Sequence, residues 1–417
     1  MIVKGCSGKQ WLFIFPVLFI FLHIHLQAQQ NTPGNWWRAQ LIRADGKNIV
    51  FNFEWLTEKG KPVWYIRNAS ERIRVPDIMV KGDSLLIQMP LFESAFKIKK
   101  SKDGASLTGN WIKGGSVKTL VMPFSAVRGG QRFNRGEDAT WNIDGRWAAE
   151  FINKDSAYPA IAEFTQRMNY LTGTFLNPTG DFRFLEGNIS NDTLRLSSFD
   201  GGHAFLFTAL ISDKNSITNG WFYSGAVYKQ PWQAVKNDTA TLPEDDVAMY
   251  LRAGEEKLHF KFKDLEGRTV SIDDDRFKNK VVVVQLMGSW CPNCMDETAF
   301  LSSYYTQNKQ RGIEVVSLAY EYSTDRARSV KSLKKFQQRF NVQYPMLITD
   351  VTVNDSLRTE KTLPELTPIK VFPSSVILDK HGRVRKLDTG FNGPGTGDHY
   401  LQYKKEFEAT INSLLEE

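Results

Sequence analysis

Hydrophobic residues in the first half of the chain occur in short apolar or alternating runs separated by polar, glycine-containing turns. The clearest runs are residues 85–87, 95–98, 194–196 and 204–207. Turn material such as 103–104, 178–181 and 200–202 lies between them. Runs of this length are typical of β-strands, and many short strands with frequent turns predict an antiparallel barrel or sandwich. We therefore predict an all-β N-terminal region.

Two stretches of this β region match each other at a nearly constant spacing. Asp83-Ser84-Leu85 recurs as Asp192-Thr193-Leu194 at an offset of 109, and Trp37 recurs as Trp147 at an offset of 110. The repeated tryptophans make chance similarity a poor explanation. We expect two copies of one β-domain, at residues 35–130 and 140–237.

Aromatic residues are concentrated in the same region. Nine of the eleven tryptophans fall between Trp36 and Trp232. They predict an aromatic core that fills each small barrel, because large rings occupy such interiors in most cases. A barrel that holds an apolar ligand is the alternative. We interpret His203 and the segment 177–181 as turn residues without a catalytic role.

The second half of the chain has a different pattern, after a polar segment at residues 236–246. Residues 280–286 form a β-branched run typical of a strand buried on both faces, and 313–318 form another. A long helix from Pro292 lies between them, which makes a β-α-β unit. Further elements are predicted as strands at 258–262, 345–348, 374–379 and 383–387 and helices at 326–340 and 400–415. We predict an α/β domain at residues 248–417.

Two cysteines follow the 280–286 strand where the predicted helix begins, in the order Cys291-Pro292-Asn293-Cys294. At such a corner the first thiol lies at a helix N-terminus, where free N–H groups and the positive end of the dipole stabilise a thiolate. Pro292 suits the first turn, since its missing N–H would have no partner there. The second thiol, one turn inside the helix, can close a short disulfide. The pattern predicts a redox-active dithiol.

Two other interpretations of the cysteine pair are weaker. A zinc site needs two more ligands at metal spacing, but Cys6 is distant and His259, His381 and His399 are isolated. A structural disulfide across so short a loop gains little from closure. We expect no metal and no cofactor.

The N-terminus resembles a cleavable secretory signal at residues 1–28. Lys4 and Lys9 precede an apolar stretch at residues 11–26, and Ala28 is a small residue suited to cleavage. Cleavage would remove Cys6 and leave Cys291 and Cys294 as the remaining thiols. This predicts a periplasmic or secreted protein. An uncleaved membrane anchor is the alternative, although the apolar stretch is short for a spanning helix.

Overall composition is ordinary for a folded protein, with 41% hydrophobic and 24% charged residues over 417 positions. The net charge of +7 is spread along the chain. The basic runs 97–100 and 383–386 are short and strand-like, so we expect no nucleic-acid partner.

Residues from about 255 onward resemble the TlpA/ResA-like envelope branch of the thioredoxin superfamily. The motifs that carry the resemblance are Phe262–Gly267, Gly288–Cys294 and Phe372–Gly382. The resemblance implies a central sheet flanked by helices, with Cys291 as the attacking thiolate and Cys294 as the resolving thiol of a Cys291–Cys294 disulfide. It also implies a cis peptide before Pro373, whose loop faces the disulfide and, with Trp290 and Phe372, binds an extended substrate segment.

Two positions depart from the thioredoxin pattern. Thioredoxin has a buried Asp six residues before the first cysteine, whereas this chain has Gln285, which does not ionise. The ResA-like branch has a Glu six residues after that cysteine, and Glu297 matches it. Glu297 is therefore either a catalytic proton carrier or a surface helix residue. Phe372 is bulkier than the residue common in the family, which favours apolar substrate segments.

These observations predict a thiol–disulfide oxidoreductase that acts on protein substrates as a reductase, together with a membrane or envelope redox partner. One alternative is a peroxiredoxin-like peroxidase, although Gly288 occupies the place where that family has Thr or Ser. The other alternative is a ligand-binding twin β-domain with an auxiliary redox domain.

Overall fold

The computed structural model describes Met1 and residues 34–116, 118–154, 156–243 and 247–417. The predicted signal segment, with Cys6, lies outside these residues apart from Met1. The described chain from residue 34 onward belongs to one compact unit. Within the described residues, no helix combines the length and the apolar character that crossing a membrane requires.

The first β-sheet contains nine antiparallel strands in the order β4-β3-β2-β1-β9-β8-β7-β6-β5. Strand β1 pairs with both β2 and β9, the last strand of this sheet in the chain. The strands are β1 (Trp36–Leu41), β2 (Ile49–Glu58), β3 (Lys61–Asn68), β4 (Glu71–Val75), β5 (Asp77–Lys81), β6 (Ser84–Gln88), β7 (Ser94–Lys100), β8 (Ser106–Lys113) and β9 (Leu120–Arg128).

The second sheet also contains nine antiparallel strands and closes on itself, because β11 pairs with both β10 and β12. Its order is β11-β10-β18-β17-β16-β15-β14-β12-β13. The strands are β10 (Gly145–Ile152), β11 (Ala157–Arg167), β12 (Tyr170–Asn177), β13 (Gly180–Asp181), β14 (Leu185–Ser190), β15 (Thr193–Phe199), β16 (Ala204–Asp213), β17 (Ser216–Ser224) and β18 (Tyr228–Lys236).

The sequence matches fall on strands with the same place in the two sheets. Trp37 lies on β1 and Trp147 on β10, the strands that pair with the last strand of each sheet. Leu85 and Leu194 lie on the corresponding strands β6 and β15. The antiparallel all-β prediction for this region is confirmed, and the shared topology supports a duplication.

Aromatic rings fill the interiors of both sheets, as the sequence predicts. Trp37, Trp64, Trp111, Trp147 and Trp232 are at most 2% exposed. Phe53 stacks on Trp64 at 4.0 Å in the first core, and Phe175 stacks on Phe207 at 4.6 Å in the second. Phe51 stacks on Phe199 at 4.4 Å, so the two sheets also pack against each other.

The C-terminal region is an α/β domain around a seven-stranded sheet in the order β20-β19-β23-β22-β21-β24-β25. Strands β21, β22 and β23 are parallel, and β24 runs antiparallel to β21. The strands are β19 (Lys261–Asp264), β20 (Thr269–Ser271), β21 (Val281–Met287), β22 (Ile313–Ala319), β23 (Met346–Ile348), β24 (Ser374–Leu378) and β25 (Val384–Thr389). The helices are α1 (Pro292–Asn308), α2 (Arg326–Phe340), α3 (Arg358–Thr362) and α4 (Asp398–Glu416).

The predicted α/β elements agree with this structure to within a few residues, except at the first strand. The sequence predicts a strand at 258–262, but β19 begins at Lys261. Leu258 and Phe260 are buried in the apolar core, so their alternation reflects packing of a loop rather than pairing in the sheet.

Candidate active site

The cysteine pair lies at the junction of strand β21 and helix α1. Cys291 is the N-cap of α1 with extended backbone angles, and Pro292 follows at the first helical position. Cys291 and Cys294 form a disulfide with a Cα–Cα distance of 5.2 Å. Cys291 Sγ accepts a hydrogen bond from the Cys294 backbone N–H at 3.1 Å. In the reduced protein the same N–H would stabilise a thiolate on Cys291.

A cis-proline loop faces the disulfide. The Phe372–Pro373 peptide bond is cis, as the resemblance implies. The carbonyl oxygen of Phe372 lies 3.5 Å from Cys291 Sγ. The Trp290 ring contacts the Phe372 ring edge-on at 5.9 Å, while its Nε1–H donates to the Tyr320 carbonyl at 2.9 Å. The structure therefore brings Trp290, Phe372 and Pro373 together beside the disulfide.

Gln285, at the position of the thioredoxin acid, is hydrogen-bonded to Glu297. Gln285 Nε2 donates to Glu297 Oε2 at 2.8 Å, and Ser375 Oγ donates to Glu297 Oε1 at 2.7 Å. The carboxyl group of Glu297 thus bridges the neighbouring strands β21 and β24. Glu297 follows Cys294 by three residues, so both side chains lie on the same face of α1.

The interpretation of Glu297 as a surface residue is wrong, because Glu297 is 1% exposed. Burial raises the pKa of its carboxyl to about 7, and the hydrogen bonds from Ser375 and Gln285 act in the opposite direction. A group with this pKa exchanges protons near neutral pH.

A second buried acid, Glu321, holds the segment before Cys291. Its carboxylate accepts the Ser289 backbone N–H at 2.8 Å and the Ser289 hydroxyl at 2.6 Å. Burial raises the pKa of Glu321 to about 7. Sequence reasoning missed this residue, although its place two positions after β22, beside the end of β21, is a detectable signal.

Residues of the β region belong to the apolar cluster that contains the disulfide. Leu91 and Phe92, from the loop after β6, lie in the same apolar cluster as Cys291 and Cys294. Cys291 is 2% exposed and Cys294 is fully buried. The apolar cluster that contains the two cysteines therefore includes residues that lie some 200 positions earlier in the chain.

The hairpin between β12 and β13 also reaches the redox helix. Asn293, between the two cysteines, donates from Nδ2 to Asp181 Oδ2 at 3.1 Å. Arg183 donates to both carboxylate oxygens of Asp296, at 2.7 and 2.8 Å. The segment 177–181 forms a turn as predicted, and its last residue, Asp181, contacts the Cys-x-x-Cys motif through Asn293.

Arg183 is the centre of a buried charge cluster at this junction. Its guanidinium pairs with Glu71 at 2.6 Å and with Asp200 at 3.8 Å. His203 belongs to a turn, as predicted, and its backbone N–H donates to Asp200 at 2.6 Å. Despite this concentration of acids, no group of three or more His, Cys, Asp or Glu among the described residues is arranged to hold a metal ion.

Comparisons with known proteins match the C-terminal domain. The Redoxin family model matches residues 252–402. The ResA thiol–disulfide oxidoreductase of Bacillus thuringiensis subsp. konkukian is 28% identical over 134 residues, which cover 32% of this chain and 68% of that protein. ResA of Bacillus subtilis strain 168 is 22% identical over 137 residues, which cover 33% of this chain and 67% of that protein.

Two solved structures are similar to part of the chain. The C-terminal domain of a putative thiol–disulfide oxidoreductase from Bacteroides thetaiotaomicron has a TM-score of 0.31 at 14% identity and covers 40% of this chain and 97% of that one. A putative thiol:disulfide interchange protein DsbE from Chlorobium tepidum has a TM-score of 0.30 at 18% identity and covers 40% of this chain and 99% of that one.

The family match, the sequence relatives and the geometry of the cysteine pair agree with one another. Residues 252–402 match the Redoxin family model, and the chain is similar to ResA thiol–disulfide oxidoreductases.

Proposed function

We propose that this protein is a periplasmic or secreted reductase of protein disulfides that works through the pair Cys291–Cys294. The observation that carries the proposal is the placement of this pair at the N-terminus of α1, against the cis-proline loop. Members of this fold exchange disulfides at such a site because one thiol is activated by the helix while the other remains close enough to resolve the intermediate.

In the proposed reaction, the Cys291 thiolate attacks one sulfur of a substrate disulfide. A mixed disulfide forms, and the other substrate sulfur leaves as a thiolate that takes up a proton. Cys294 then loses its proton and attacks Cys291 Sγ, which releases the second substrate thiol and forms the Cys291–Cys294 disulfide. Two electrons pass to the substrate, and a dithiol donor of the envelope must return them.

Glu297 is proposed as the proton acceptor for Cys294. Three features support this role: its burial, its pKa of about 7 and its place one helical turn from Cys294. The neutral amide of Gln285 holds the carboxyl group in position without competing for the proton. General-base help of this kind contributes about 10²-fold to a rate.

Trp290, Phe372 and Pro373 are proposed to bind the substrate segment next to its disulfide. The Trp290 and Phe372 rings contact each other, and the Phe372 carbonyl lies next to Cys291. This surface suits an extended apolar segment. We also propose the predicted domain boundaries, with β-domains at 35–130 and 140–237 and the redox domain at 248–417.

The ligand-binding alternative is not favoured by any observation in the described residues, because aromatic side chains fill both β-sheet cores. The peroxidase alternative also lacks support. The residue three positions before Cys291 is Gly288, which has no hydroxyl group to offer a peroxide.

Insulin reduction with dithiothreitol as the electron donor tests the proposal directly. We expect the wild-type protein to accelerate insulin precipitation and the Cys291→Ser variant to be inactive. A Cys294→Ser variant should accumulate mixed disulfides with substrate, since the resolving thiol is missing. Wild-type protein that fails to reduce insulin or to equilibrate with glutathione would overturn the proposal.

A further inference from the structure

We infer that Asp181, from the second β-sheet, is a positioning residue of the redox site that disfavours the Cys291 thiolate and thereby stabilises the disulfide. The inference rests on the proposed function and adds a role for the β-region. The stability of the disulfide in the redox domain would then depend on a carboxylate that lies 110 residues before Cys291.

The geometry connects Asp181 directly to the Cys-x-x-Cys motif. Asp181 Oδ2 accepts from Asn293 Nδ2 at 3.1 Å and from the Gly393 backbone N–H at 2.7 Å. Asn293 Nδ2 also lies 3.3 Å from the Phe391 carbonyl oxygen. The other oxygen, Oδ1, accepts from the Arg183 backbone N–H at 2.5 Å. Both carboxylate oxygens are therefore held, and the Asn293 side chain is fixed between the two cysteines.

The hairpin is shaped for this close approach. Gly180 has a φ of 138°, and a Cβ added there would lie 2.9 Å from Asn293 Nδ2 and 3.2 Å from the Phe391 carbonyl oxygen. Any larger residue would push the hairpin away from α1. The absence of a side chain at Gly180 is thus what allows Asp181 to reach the motif.

The charges around Asp181 leave a net negative charge next to Asn293, which lies between the two cysteines in the sequence. Asp181 is 7% exposed, and the charged groups that act on it are Asp296 and Arg183. With both carboxylates ionised, these three groups sum to one negative charge. Burial and the neighbouring Asp296 raise the pKa of Asp181 to about 6, so it is mostly ionised at neutral pH.

A buried negative charge beside a thiol disfavours the thiolate and raises the thiol pKa. Redox proteins whose reduced form is stabilised are strong oxidants. By the same linkage, a protein whose reduced form is destabilised is a weaker oxidant, and its disulfide is harder to reduce. Asp181 therefore makes the reduced form less stable and the disulfide more stable, which suits a site that donates electrons.

The test is the full-length Asp181→Asn variant, which keeps an oxygen that accepts from Asn293 and Gly393 but removes the charge. We expect the Cys291 thiol pKa, measured by the pH dependence of alkylation, to fall by about one unit. We expect the equilibrium constant for oxidation by glutathione disulfide to fall about tenfold, which is about 30 mV toward a more oxidising potential. Glu186→Gln, in which a β-sheet carboxylate away from the motif is neutralised, is the matched control and should change neither value.

If Asp181→Asn does not fold, a second variant tests the same inference. Gly180→Ala should displace the hairpin from Asn293 and shift both readouts in the same direction. Unchanged thiol pKa and glutathione equilibrium in either folded variant would overturn the inference. A wild-type protein that does not equilibrate with glutathione would instead refute the proposed function, so the two failures are distinguishable.

Discussion

Arg183, in the loop between β13 and β14, and Asp296 on helix α1 form a bidentate ion pair, with N···O distances of 2.7 and 2.8 Å. The same guanidinium pairs with Glu71 of the first sheet. Asp296 lies two residues beyond Cys294. One arginine side chain therefore connects both β-sheets to the helix that carries the redox pair.

Replacing this arginine tests the connection. Arg183→Ala leaves Asp296 and Glu71 buried without their cation, and breaking a buried pair of this kind costs about 3–5 kcal/mol. Urea denaturation should show a loss of that size in the free energy of unfolding. Arg135→Ala is the control, because its ion pair with Asp138 is largely exposed and should contribute less than about 1 kcal/mol. Equal effects of the two substitutions would contradict the prediction.

The two thiols of the reduced protein are expected to differ in reactivity. Cys291 caps helix α1 and accepts the Cys294 N–H, whereas Cys294 is fully buried inside the helix. Iodoacetamide should therefore modify Cys291 first, as followed by peptide mass spectrometry over time. Equal rates, or faster modification of Cys294, would reverse the proposed roles.

Glu297→Gln is expected to change the pH dependence of both stability and exchange. The native pKa of Glu297 is about 7, above the usual 4.5, so between these values the native state keeps a proton that the unfolded state has lost. The free energy of unfolding therefore falls as pH rises through this window. The Gln variant should lack that fall and should resolve mixed disulfides up to ~10²-fold more slowly.

The control for this substitution is Glu408→Gln on the exposed face of α4. This substitution removes a carboxylate that is not in contact with the site. We therefore expect the pH dependence of stability and of mixed-disulfide resolution to stay as in the wild type. If Glu297→Gln also leaves the pH–rate profile unchanged, the carboxyl group has no part in proton transfer, and the chemistry rests on the two cysteines.

Phe92 is expected to restrict access to the disulfide. It is 4% exposed, contacts the His203 ring at 5.1 Å and shares the apolar cluster that contains both cysteines. Phe92→Ala should increase the rate of reduction by a protein dithiol relative to the rate with dithiothreitol, because the smaller reagent needs less opening. A ratio of the two rates that matches wild type would show that Phe92 does not limit access.

The separate C-terminal fragment tests how far the β-region is needed. Residues 248–417 contain an apolar core of their own, formed by side chains from Met249 to Leu387. We expect the fragment to fold, to retain disulfide reductase activity and to react faster with protein reductants than the full chain does. Limited proteolysis should release it by cutting near residues 237–246. A fragment that fails to fold by circular dichroism would show that the sheets are structurally required.

Local sequence predicts most of the redox domain because its signals are contiguous. A β-branched strand, a Gly-Ser break, a cysteine and a proline follow one another in the order in which β21 passes into α1. The helix at Arg326–Phe340 agrees in both boundaries with the prediction. The predicted start of β19 is wrong, because alternating apolar residues also occur in a buried loop.

The surroundings of the site depend on contacts that no local pattern encodes. From its sequence position alone, Glu297 is consistent with an exposed helix residue. In the folded protein, β21 and β24 place Gln285 and Ser375 within hydrogen-bonding distance of its carboxyl group. The segment 177–181 has the composition of an ordinary turn. Its contact with Asn293 arises only because the second sheet packs on the redox domain.

The sequence by itself predicted a Cys-x-x-Cys dithiol, the two classes of fold and a repeat within the β region. These follow from short-range patterns of strand, turn and helix formation, which depend on neighbouring residues. The tertiary structure alone decided that the disulfide is covered, that Glu297 is buried and that Arg183 meets Asp296. Those properties depend on burial and on charges brought together across more than 100 positions, because the energy of a charged group is set by its surroundings in space.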